Sequence, residues 1–417
     1  MIPPDYASRT DGGPDPHELL EFLLYLGSGL TAAGEAVNRI EDRLRRVAAA
    51  YGATRLRVSV LPTYLVIALE PGQPAALEPT PQLRGTLRLN QTAALYDVLK
   101  AAERAEVVPA EGARRVWEIL AMAPRFNRTV IIFGHLTLTA GICMLLRPTL
   151  SDLLLAAAFG ALVGALKVFG GRWTSAQILM PVVASFGVAA LTLVLASAGW
   201  VDVEARAMIA PLVTFLPGAV LTMGVVEMSA AQLVTGASRL VAGSLQLVLL
   251  AFGLLAAVQL VGLPRPDAVA AASEYRLGAW APWAGVFLVG VGNYLYRSAP
   301  PRSFGWLCLV LYSAWVGRHL GEQVSPGYLG SFTGALLMTM VAYLVERRPS
   351  GPPALVSFLP AFWLLVPGGV SLIGVTEYMT RGADAATPDL IGATGTIMAI
   401  ALGVLCGYPM YRRLGAG

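Results

Sequence analysis

Pro217-Gly-Ala-Val-Leu-Thr-Met-Gly-Val-Val-Glu227 returns 150 residues later as Pro367-Gly-Gly-Val-Ser-Leu-Ile-Gly-Val-Thr-Glu377. Six of the eleven positions coincide, pairing Pro217 with Pro367, Gly218 with Gly368, Val220 with Val370, Gly224 with Gly374, Val225 with Val375 and Glu227 with Glu377. That density of identity points to an internal duplication. Each copy lies in a long apolar run, where a Pro-Gly pair breaks a helix and a carboxylate is expensive to bury. Secondary transporters build binding sites from this combination of broken helices and repeats.

The surroundings of the repeat fix its medium. Hydrophobic residues make up 56% of the 417-residue chain and charged residues only 13%. The mean hydropathy is +0.63, which places the chain in a lipid bilayer. The net charge of +4 carries no nucleic-acid signal, since Lys and Arg on cytoplasmic flanks set membrane orientation. Cys143, Cys308 and Cys406 fall in apolar segments without metal-ligand spacing and read as packing residues. His17, His135 and His319 are scattered, so no metal site, cofactor site or catalytic triad is expected.

Charge divides the chain. Residues 1–128 hold 15 of the 30 Lys/Arg and 15 of the 26 Asp/Glu. The expected organisation is a disordered leader (1–16), a soluble α/β domain (17–128), and two membrane units (129–262 and 278–413). Within the soluble domain, residues 17–50 show helical spacing, with Gly27, Gly29 and Gly34 interrupting the first half. Residues 55–61 and 64–70 read as a hairpin, residues 83–89 as a third strand, and 92–106 and 111–123 as amphipathic helices.

From Thr129 onward the chain shows ten apolar runs of about 17 to 25 residues, the length of a membrane-crossing helix. They cover 129–147, 150–169, 177–198, 207–226, 237–262, 278–296, 303–321, 327–345, 355–377 and 388–411. Lys and Arg in the short loops favour the side of the N-terminal domain by 11 to 6, placing both termini in the cytoplasm. The 150-residue offset carries the fourth run onto the ninth and gives five runs per unit. Because five is odd, the second unit enters the membrane from the opposite face. The fold class expected is therefore an all-α polytopic membrane protein of ten helices in two inverted repeats, with an N-terminal cytoplasmic α/β domain. Such a pair suits alternating access.

The candidate substrate-binding positions are Pro217, Gly218, Pro367 and Gly368, where a break would leave N–H groups to hold a carboxylate, together with Arg239 and Asn293. Glu227 and Glu377 lie ten residues beyond their prolines, about 15 Å along a helix. They are the candidate proton-coupling or gating groups. Each has a plainer structural alternative: a packing kink for the prolines, a helix cap for the carboxylates, a positive-inside anchor for Arg239. Lys167, Gln246 and Gln259 are further polar groups in or beside spans, and Gly160 and Gly164 are spaced for helix packing.

Three groups of residues carry a family resemblance: Gly34-Glu-Ala-Val-Asn-Arg-Ile-Glu41 running into Ala50-Tyr-Gly52; Val58-Ser-Val-Leu-Pro-Thr63; and Leu216-Pro-Gly218 leading to Glu227 and Gly236-Ala-Ser-Arg239. In their order the chain resembles the bacterial threonine/serine exporters. The resemblance implies proton-driven export of small hydroxy amino acids across the bacterial cytoplasmic membrane, with the soluble domain inside. The partners implied are a zwitterionic substrate, protons and the bilayer, with homo-oligomerisation left open. Two alternatives compete. One is a membrane enzyme whose cytoplasmic domain hydrolyses a substrate with Thr63, Glu35, Arg39 and Glu41. The other is a channel or lipid-handling protein.

Overall fold

The structure is a computed structural model. It describes residues 15–69, 76–79, 86–170, 174–199, 208–262, 276–365, 372 and 383–414. The chain forms two compact units: Met1–Arg125 with Glu227–Ser238, and Phe126–Val226 with Arg239–Gly417.

In the first unit, α1 (Pro16–Ala33) starts at Asp15, whose carboxylate accepts from His17 N–H at 2.9 Å, and has Pro16 in its first turn. It stops at Gly34, held in the left-handed region at φ 86°. The expected helical stretch 17–50 is therefore two helices, because Gly34 closes the first and α2 (Val37–Ala50) begins after a two-residue link. Gly27 and Gly29 do not interrupt α1. They leave room for Leu65 and Leu44 and for Leu95, so the helix lies directly on its neighbours. Phe22, Leu23, Leu26 and Leu30 are fully buried, each contributing about 1.5–3 kcal/mol.

The hairpin is present: β1 (Arg57–Val60) pairs antiparallel with β2 (Tyr64–Ala68), setting Arg57 opposite Ala68 and Val60 opposite Leu65. Of the expected third strand at 83–89, residues 83–85 lie outside the described residues, 86–88 carry no strand, and Leu89 is helical. The third strand among the described residues is β3 (Ala76–Pro79), paired with β2. Pro79 is tolerated there because it closes an edge strand, while Leu89 opens α3 (Leu89–Ala102), with Arg88 N–H donating to Gln91 Oε1 at 3.1 Å. α4 (Pro109–Ala121) completes the set.

The membrane segments are helical: α5 (Arg128–Leu145), α6 (Leu150–Gly170), α7 (Thr174–Ser197), a 3-10 turn (Ala210–Phe215), α8 (Gly218–Ser229), α9 (Leu233–Val261), α10 (Ala281–Tyr296), α11 (Phe304–Val324), α12 (Tyr328–Glu346), α13 (Ala354–Leu365) and α14 (Ala383–Leu414). Among the described residues six segments are long and apolar enough to cross a membrane: α5, α6, Ile178–Ser197 of α7, α9, α12 and Thr387–Arg413 of α14. α8 and α13 are shorter apolar helices. The chain is thus a multi-pass helical membrane protein.

Within the second unit α5 and α10 run antiparallel with their backbones in contact. Gly134 faces Leu295 and Tyr296, Gly141 faces Gly285 and Val289, and Gly292 faces Leu138, so position rises along one helix as it falls along the other. Gly160 and Gly164 of α6 likewise receive Thr139 and His135 of α5, as their spacing suggested. α7 lies against α9 where Gly253 meets Val182 O, Ser185 and Phe186 N, and α12 lies against α14 where Gly403 meets Phe332 O, Ala335 and Leu336 N. Every residue of the second set stands 150 positions after its counterpart in the first.

Candidate functional site

The expected span 207–226 is not one helix. Pro217 has no N–H to donate to the Val213 carbonyl, and the chain answers with a break: Leu216 is extended (φ −67°, ψ 126°), and its own N–H reaches Val213 O at 3.2 Å. A fresh helix then starts, with Leu221 N–H donating to Pro217 O at 2.9 Å.

An interruption at this point also strips the Thr214 and Phe215 carbonyls of their helical donors, and unsatisfied carbonyls are not tolerated against lipid. Side chains from other helices replace those donors. Lys167 Nζ of α6 donates to Thr214 O at 3.4 Å, and Gln246 Nε2 of α9 donates to Phe215 O at 2.5 Å. The freed carbonyls are thus held by tertiary contacts, which keeps the irregular backbone open without a hydrogen-bond deficit.

Around Thr214 the donors run in one direction. His135 is fully buried, and its Nδ1 lies 2.7 Å from Gly160 O, which can only accept, so Nδ1 carries the hydrogen. Lys167 Nζ donates to Thr214 Oγ1 at 2.8 Å. The hydroxyl hydrogen is then free to point at His135 Nε2, 3.0 Å away, the arrangement that suits a neutral imidazole. The Lys167 ammonium also sits 4.2 Å from the Phe215 ring centre and 5.7 Å from that of Tyr296, within cation–π range. His135 meets Tyr296 edge-on at 5.0 Å.

Glu227 belongs to a different cluster. It is 1% exposed, and its Oε1 accepts from Val37 N–H at 3.4 Å, at the first turn of α2. Glu35, 2% exposed, accepts from Ala36 N–H at 3.2 Å and pairs with Arg39 at 3.4 Å. Two carboxylates therefore converge on one helix N-terminus, where its exposed N–H groups and dipole favour negative charge. Tyr96 donates its hydroxyl to Glu35. Burial, reinforced by the Glu35 carboxylate, pushes the Tyr96 phenol well above its usual range. The motif from Gly34 to Glu41 is thus a helix stop followed by a carboxylate-bearing helix start.

Of the other expected site residues, Pro217 and Gly218 are buried at the break. Arg239 is half-buried in α9. Asn293 is fully buried in α10 and donates back to Val289 O of its own helix at 3.0 Å. Pro367, Gly368 and Glu377 lie outside the described residues. Lys167 and Gln246 were visible in sequence only as polar groups near spans, and His135 and Thr214 gave no signal of their own. The one clue was general: an ionisable residue inside an apolar run is costly unless it has work to do. Of the groups proposed for hydrolysis, Glu35 is engaged as above, and Glu41 accepts from Val60 N–H at 3.4 Å and pairs with Arg45 at 3.3 Å. Thr63 is exposed beside the hairpin turn.

Comparison with known proteins gives one match. A family model described as "putative threonine/serine exporter" covers residues 21–261, from α1 through α9. No curated protein and no solved structure matches the chain. The matched region holds the α2 carboxylate cluster, the Leu216–Pro217 break and the Lys167 and Gln246 side chains that hold it open, and the chain belongs to the threonine/serine exporter family.

Proposed function

We propose that the protein is a secondary active exporter of threonine and serine in the bacterial cytoplasmic membrane, exchanging substrate for protons by alternating access. The observation that carries this reading is the helix break at Leu216–Pro217 in an exporter-family chain, with its freed carbonyls held by Lys167 and Gln246. A zwitterion fits such a place. Its carboxylate is drawn to the N–H groups that begin α8, and its ammonium to carbonyl oxygens and aromatic faces.

Two inverted five-helix units, 129–262 and 278–413, would supply the alternation. The antiparallel α5–α10 pair and the matched packing of Gly253 and Gly403 support that arrangement. Residues 17–128 are assigned to the cytoplasm with both chain termini. Glu227 and Glu377 are assigned as the proton-coupling carboxylates. For Glu227 the support is its burial at the α2 N-terminus, where gaining a proton weakens a charge-assisted hydrogen bond and losing one restores it.

An imposed pH step tests the coupling. Proteoliposomes loaded with labelled threonine should release it faster when the outside is acidified. At equilibrium each pH unit should sustain roughly a tenfold threonine gradient per proton exchanged. Release that ignores the pH step would favour a channel.

A further inference from the structure

We infer that Lys167 receives the carboxylate of the transported amino acid, an assignment that rests on the exporter reading and names the counter-charge at its binding site. An ammonium carries three hydrogens. Among the described residues the acceptors it meets are both on Thr214, the hydroxyl at 2.8 Å and the carbonyl at a long 3.4 Å, and the rings of Phe215 and Tyr296 contribute only their π faces. All of these partners are neutral. Among the described residues no carboxylate lies within ion-pair distance of Lys167. A half-buried cation with donor capacity to spare, in a membrane segment, favours an anionic ligand.

The second half of the chain shows what the balanced version looks like. Leu364 stands 150 residues after Thr214, and its carbonyl is also held by a cation, Arg318 Nη1 of α11 at 3.1 Å. Arg318 sits one position beyond the counterpart of Lys167 in the repeat. It has its own carboxylate, with Glu322 Oε1 2.8 Å from Arg318 Nε. A cation thus holds the carbonyl at the matching position of each half, from neighbouring rather than identical repeat positions, and among the described residues only the second has a carboxylate partner. The difference assigns the ligand's negative charge to Lys167. The Thr214 hydroxyl, fixed by His135, holds the ammonium in place before the ligand arrives, so little reorganisation is needed.

The test compares L-threonine with L-threoninol, which keeps the hydroxyl and ammonium but lacks the carboxylate, by binding to the purified full chain. Wild type should prefer threonine by roughly 10- to 100-fold, the worth of a charge-assisted contact. Lys167→Gln should remove most of that preference by weakening threonine alone, leaving only what the N–H groups that begin α8 contribute. Lys167→Arg should keep most of the preference, and Arg318→Gln should leave it unchanged. The chain has two lysines, Lys100 and Lys167, so reductive methylation of wild type gives an independent readout if Lys167→Gln does not fold. Threonine should slow methylation of Lys167 and not of Lys100, and threoninol should protect neither. A threonine preference undiminished in Lys167→Gln, or equal methylation with and without threonine, overturns the assignment. If wild type binds the two ligands equally while exchanging threonine, the Lys167 assignment falls and the exporter reading stands. If wild type exchanges neither threonine nor serine, both fall.

Discussion

Gly292→Leu should leave no folded, monodisperse protein. A Cβ at Gly292 would meet the Leu138 backbone, and the same pair of helices is in contact at Gly141, where a Cβ would lie 2.8 Å from Gly285 O. Backbone cannot swing aside as a flexible side chain does. A leucine there must push α5 and α10 apart along their whole antiparallel contact, so the cost belongs at or above the top of the overpacking range, about 3 kcal/mol or more. Without a hydrophobic driving force between helices in lipid, close packing of small residues is a large share of what holds such a pair. Gly187 of α7 is the control, since nothing lies within 4 Å of a Cβ placed there. Gly187→Ala should be neutral or stabilising by about 0.5–1 kcal/mol, because alanine is the better helix former. Size-exclusion profiles and thermal unfolding in detergent read both variants. A wild-type profile for Gly292→Leu would contradict the α5–α10 contact.

Glu227→Gln and Glu377→Gln should each lower pH-driven threonine export by about tenfold or more, the equivalent of one charge-assisted hydrogen bond. For Glu227 the substitution is selective. Glutamine keeps an oxygen to accept from Val37 N–H, so the α2 start remains satisfied and only the titratable charge is lost. Glu227→Ala removes the acceptor as well and should also lower thermal stability, by about 1–3 kcal/mol for a buried donor left without its partner. Export by both glutamine variants at the wild-type rate, with unchanged pH dependence, would remove carboxylates from the coupling mechanism.

The parts of this picture that were readable in sequence are those caused by single residues. Pro217 breaks its helix because it has no N–H, and Gly34 ends α1 because it alone tolerates φ 86° there. The hairpin was readable because alternation and a Pro-Thr turn are local. The strand Ala76–Pro79 was not readable because it shows no alternation, and it is recognised by its pairing with β2. At the centre of the candidate site only Lys167 and Gln246 showed in the sequence, as polar groups in or beside spans, and nothing linked them. His135, Lys167, Thr214, Gln246 and Tyr296 come from five separate segments, and each is unremarkable alone. Their relation is set by which faces α5, α6, α9 and α10 turn toward the break. Glu227 presents the same problem: its partner Val37 is 190 residues away, and no periodicity links them.

The chemistry proposed at the break also explains why the family resemblance was carried by such short motifs. Leu216-Pro-Gly218 is the break itself, and Gly34-Glu-Ala-Val37 leads into the helix start that Glu227 joins. Both are backbone devices.

Export of threonine and serine is tested most directly by counterflow. Proteoliposomes holding the full-length protein and a high concentration of unlabelled amino acid are diluted into a trace of labelled threonine. Preloading with threonine or serine should produce a transient accumulation of label above equilibrium, and preloading with leucine or glutamate should not. Equilibration without overshoot for every preload, or an overshoot that leucine supports and serine does not, would contradict a threonine/serine carrier.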